Sequence, residues 1–183
     1  MQLRYEIQLA SMIKAMKDVV IPAVDAKNDL AIQQAHLIVG LLNLMAHQLP
    51  VQFRFDRDEL QRLLVCAQRV SKVNTSDQSV GEAMKALETS RAAAAEVLER
   101  CTTDPAELTA AIRDMRETTG ALMAAAASGQ DPATLDVVEK AVLALSREQL
   151  LRDRSLMLPQ GWEPDPTLIP DIQSLLVSAT ASR

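Results

Sequence analysis

Apolar residues recur along most of the chain at three- and four-residue intervals, the spacing that puts them on one side of an α-helix. Between about Leu3 and Ile21, the residues Tyr5, Leu9, Met12, Ile13, Met16, Val19 and Val20 share one broad face, and Pro22 is expected to stop the helix. Asn28 or Asp29 is placed to cap a second helix over Leu30–Leu49, with Leu30, Leu37, Leu41, Leu44 and Met45 on its apolar side and Pro50 as its end. The alternating VQFRF after Pro50 reads as a short extended segment. Asp56 followed by Glu59 reads as a capping box for a third helix from Arg57 to about Val73, with Leu60, Leu63, Leu64, Ala67 and Val70 inward.

The second half repeats one boundary chemistry. A helix from about Asp77 to Arg100 carries Val80, Ala83, Met84, Leu87, Ala94, Val97, Leu98 and Cys101 on one side. Asp104 with Pro105 opens the next, with Glu107 placed to return a capping bond, and Leu108, Ala111, Ile112, Met115, Leu122 and Met123 run inward to a stop near Gly129. Asp131 with Pro132 opens another that reaches Leu156, with Leu135, Val138, Val142, Leu145 and Leu150 as its apolar positions. The stretch PQGWEPDPTLIP then holds four of the eight prolines and the only Trp, so it is expected to run irregularly before a short helix over Asp171–Ala179. Short connections favour antiparallel neighbours. The expected fold is all-α: an antiparallel bundle of about five main helices over 1–158, and a tail over 159–183 that straps the bundle or a second subunit.

Composition agrees with helices and supplies little chemistry. Aromatic residues make up 2% of the 183 residues and Gly numbers 5, so strand formers and phosphate-cradling loops are both scarce. A net charge of −5, without a long single-sign block, counts against nonspecific attraction to nucleic acid or anionic membrane. A weak basic surface of Arg57, Arg62, Arg69 and Lys72 is the nearest approach to a nucleic-acid face. Cys66 and Cys101 fit no metal spacing and read as free core thiols of a cytoplasmic protein. The N-terminal stretch carries charges within its apolar residues and does not read as a signal peptide.

From Leu30 to Phe53 there is no Asp, Glu, Lys or Arg, yet seven amides and imidazoles interrupt the run. That polarity favours an uncharged helix in a protein interior over a membrane span. Within it, Gln33, His36, Gly40, Asn43 and His47 form a polar or small-residue seam. His36 and His47 lie about 20° apart in azimuth but roughly 16 Å apart along the axis, too far to chelate one ion together. Gln33, His36, Asn43 and His47 are therefore the candidate ligand pocket, in which a neutral imidazole accepts a proton and an amide orients a carbonyl. No metal, nucleotide or nucleophile motif accompanies them, and no cofactor is expected. The function expected is a non-catalytic interaction or accessory protein, self-associating or bound to a protein partner. The alternative is a bundle that binds or transforms a small molecule at the polar seam.

Overall fold

The computed structural model describes residues 4–100 and 102–176. It is all-α, with no strand among the described residues. Helix α1 (Tyr5–Ala15) continues through a π-helical turn, Met16–Val20, into a last turn, Ile21–Ala23. The remaining helices are α2 (Asp29–Val70), α3 (Gln78–Glu99), α4 (Pro105–Ser128), α5 (Pro132–Met157) and the short α6 (Ile172–Leu175). An all-α bundle of about five main helices with a short C-terminal helix is the architecture the periodicity predicts. The predicted end of that last helix, 177–179, lies outside the described residues, as does Cys101.

The first helix ends at Ala23, one residue past the expected stop at Pro22, whereas the stop at Pro50 is overridden. Pro22 sits inside the last turn of α1, where it has no N–H to give and the π turn immediately before it carries the Ile21 N–H to Met16 instead. Pro50 lies inside α2, so the expected second and third helices are one helix of 42 residues. The extended reading of VQFRF and the cap at Asp56 are corrected by the same fact. Val51 and Phe55 stand four apart, which in a helix is one face, and both are buried while Phe53 is exposed. Burial of that face holds the backbone helical across a residue that removes one ladder bond.

The caps at the other boundaries are real. Asn28 Oδ1 accepts from the Ala31 N–H at 3.1 Å, Asp104 Oδ1 from Ala106 at 2.7 Å, and Asp131 Oδ1 from Ala133 at 3.0 Å. Asp77 Oδ1 accepts from the Ser79 N–H and hydroxyl and from the Val80 N–H. Glu107 does not return to the cap of α4; its carboxylate takes the Arg100 guanidinium across the connection, at 3.0 and 3.2 Å.

Contacts divide the chain into two compact units, Met1–Gln52 with Asp153–Gln173, and Phe53–Arg152 with Ser174–Arg183. The larger unit holds the main core. Leu60, Leu63, Cys66, Ala67 and Val70 of α2 pack there with Val80, Leu87 and Ala94 of α3, Leu108, Ile112, Met115 and Leu122 of α4, and Val138 and Ala141 of α5. These are the predicted inward positions almost throughout. Leu150 is the exception, at 59% exposed.

The smaller unit is thinly covered. Of the broad apolar face read on α1, only Leu9 is buried, while Tyr5, Met12, Val19 and Val20 are exposed. Residues 153–173 fold back within this unit: Gln160 Nε2 donates to the Gly40 carbonyl at 3.2 Å, and Ser155 Oγ to the Pro170 carbonyl at 2.7 Å. Arg154 pairs with Glu163 through one guanidinium edge, Nε and Nη2 each donating to one carboxylate oxygen. Leu156 and Ile169 are buried there, whereas Trp162 and Leu168 stand out in solvent.

Candidate functional site

The first half of α2 is divided by helical geometry into four sectors. At about 100° per residue, Ala35 and Val39 share one azimuth and are buried. Gly40, Leu44, Gln48 and Val51 lie on the far side and are buried or half-buried, where the Gln48 amide approaches the Met157 sulfur at 3.7 Å. Between these covered sectors run two exposed stripes of opposite character.

One is the polar seam. His36, Asn43 and His47 fall within about 40° of one another, Gln33 lies about 40° further round on the azimuth of Val51, and all four are exposed. The Asn43 Nδ2 donates to the Val39 carbonyl of its own helix at 2.8 Å. Neither imidazole is in an ion pair with a carboxylate among the described residues. Geometry thus aligns these side chains without enclosing them. Among the described residues no group of three or more His, Cys, Asp or Glu is placed to hold a metal ion.

The other stripe is apolar. Leu30, Leu37, Ile38, Leu41, Met45 and Leu49 are between 43% and 68% exposed, with the exposed Gln34 among them. The periodicity placed Leu30, Leu37, Leu41 and Met45 together correctly and assigned them to a packed side, but of that side only Leu44 is buried. Helix α2 is the one described helix long and apolar enough to cross a membrane, and 17% of its most apolar window is buried.

A second feature, in the larger unit, was not read from the sequence. Asp58 and Arg152 are buried side by side, at 2% and 1% side-chain exposure, and form an ion pair. Asp58 also accepts from Arg62 Nε at 2.8 Å, and Arg62 reaches Glu148 and the Leu175 carbonyl. The Arg152 guanidinium lies 4.9 Å from the Phe55 ring centroid and donates to Gln149 Oε1. Burial works against the Arg62 charge, yet its hydrogen bonds to Asp58 and Glu148 outweigh that penalty and hold its pKa above the ordinary value. Glu59 is buried one residue on and pairs with Arg116. The i, i+4 spacing of Asp58 and Arg62 was the available signal, but nothing in it announces a buried partner 94 residues away.

This network orders a helix junction rather than presenting a reacting group. Arg152 and Asp58 are closed to solvent. It also removes Arg62 from the weak basic surface, as does the bond from Arg57 Nη2 to the Leu98 carbonyl at 2.9 Å. Cys66 belongs to the same unit, buried and free, and burial pushes its thiol up. No family model, curated protein or solved structure matches this chain.

Proposed function

We propose that this chain is a non-catalytic helical interaction protein of the cytoplasm, working through the smaller unit. The apolar stripe of α2 carries the reading. Monomeric proteins scatter single apolar residues over their surface, but a contiguous row of large aliphatic side chains along one helix marks a contact surface. Its polar companions on the neighbouring sectors are amides and imidazoles, which hydrogen-bond without bringing a charge into an interface.

The test is the size of the assembly that contains this chain in its own cells, read on a native gel for the natural chain and for Leu37→Glu/Leu41→Glu. Migration well above 20.0 kDa that the double variant abolishes supports the reading. Migration of both chains at the monomer position refutes it.

A further inference from the structure

This inference rests on the interaction reading and names the partner. We infer that the apolar stripe of α2 is covered by the same stripe of a second copy, the two helices running antiparallel about a twofold axis at Val39–Gly40.

Area is the first argument. Six large aliphatic side chains, each about half exposed, supply on the order of 600 Å² per copy, and Gln34 with the flanking residues brings the patch close to the ~800 Å² per partner of a standard interface.

The second argument is self-complementarity. Leucines stand at both ends of the stripe, so reversing one helix on the other sets Leu30 against Leu49, Gln34 against Met45, and Ile38 against Leu41. No charged residue lies between Leu30 and Leu49, so two copies meet with no like-charge contact along the whole stripe. A parallel pair would instead place Asp29 beside Asp29 and align the two helix dipoles, both unfavourable. A twofold, isologous contact is the commonest way for one patch to be buried by itself.

Lipid fits the surroundings less well. The Gly40 carbonyl, midway along the uncharged segment, holds the Gln160 amide, and the same returning segment carries the Arg154–Glu163 ion pair. Placing Gly40 at the centre of a bilayer would draw those groups in with it. A helix lying in the lipid interface carries Lys and Arg on its polar face, and between Leu30 and Phe53 this one carries neither.

Light scattering on the purified chain, alone, should give twice 20.0 kDa at micromolar concentration. Leu37→Glu/Leu41→Glu should halve that mass with the circular dichroism unchanged, since both positions are exposed. His36→Ala/His47→Ala, on the other exposed stripe, should leave the dimer intact. Orientation is read by mixing Leu30→Cys and Leu49→Cys chains under mild oxidation: peptide mapping should find a disulfide joining positions 30 and 49, and none in Leu30→Cys alone. A monomeric purified chain overturns the inference, as does a self-linked Leu30→Cys chain. Monomers that bind phosphatidylcholine vesicles overturn it in favour of lipid. If the purified chain is monomeric while the assembly in cells is large and sensitive to the glutamates, the second copy is wrong and the interaction reading stands; if both are monomeric, both fail.

Discussion

Asp58 and Arg152 concentrate more electrostatic consequence than any other pair of side chains in the larger unit. Each charge is tolerable inside only because the other is there, with Arg62 donating to the same Asp58 Oδ2 and Gln149 and Phe55 flanking the Arg152 guanidinium. Removing one partner strands the other. Asp58→Ala should therefore cost about 3–5 kcal/mol in urea unfolding, whereas an exposed pair such as Lys140–Asp136 should cost under about 1 kcal/mol when broken. Cys66 provides a second reading at this scale. A buried thiol with a raised pKa is short of the thiolate that reacts, so labelling by a disulfide reagent at pH 7 should proceed only at the rate at which the core opens, and should accelerate sharply in denaturant.

Helix boundaries show what local chemistry decides and what it leaves to packing. Asn28, Asp104 and Asp131 were legible because an Asn or Asp before a helix satisfies orphan N–H groups whatever surrounds it. Pro50 was misread for the complementary reason: its local penalty is real, and only burial of Val51 and Phe55 shows that it is overruled. Pro50→Ala should restore a ladder bond and raise stability by roughly 1–3 kcal/mol, less the extra freedom it gives the unfolded chain. Gly129 makes a related point. Its backbone is ordinary extended structure, but a Cβ there would stand 2.9 Å from Asp77 Oδ2, so the glycine makes room for the cap of α3. Gly129→Ala should lower the melting temperature, and in the Asp77→Ala background the same change should cost less, the coupling of two sites that share one carboxylate.

At the scale of the whole molecule, the fold was written in the periodicity and the interaction surface only half so. Spacing told which residues of α2 face the same way; it did not tell which sector would be covered, because that depends on the segment over 153–173, which is far away in sequence. The histidine seam likewise was legible as a stripe, while its openness was not. Acid response is a property of this scale too. Asp77 and Asp131 are held below the ordinary carboxylate value of 3.8, chiefly by the hydroxyls of Ser79 and Thr134 and then by backbone N–H groups, and Glu163 is held below 4.5 by Arg154. These groups bind protons more readily when unfolded, so the stability they contribute is complete above pH about 5 and drains away as the pH falls through their folded values. Thermal melts should be flat from pH 7 to about 5 and fall below 4, with Asp131→Asn showing a shallower acid slope.

The bond from Gln160 to Gly40 joins residues 120 positions apart, which gives the smaller unit a history as well as a shape. At a ribosomal pace of about 5–20 residues per second, the leucine-rich start of α2 has been made for roughly 6–24 s before the residues that cover one of its sides are. Through that interval it is a sticky nascent segment in a crowd of identical neighbours on the same message.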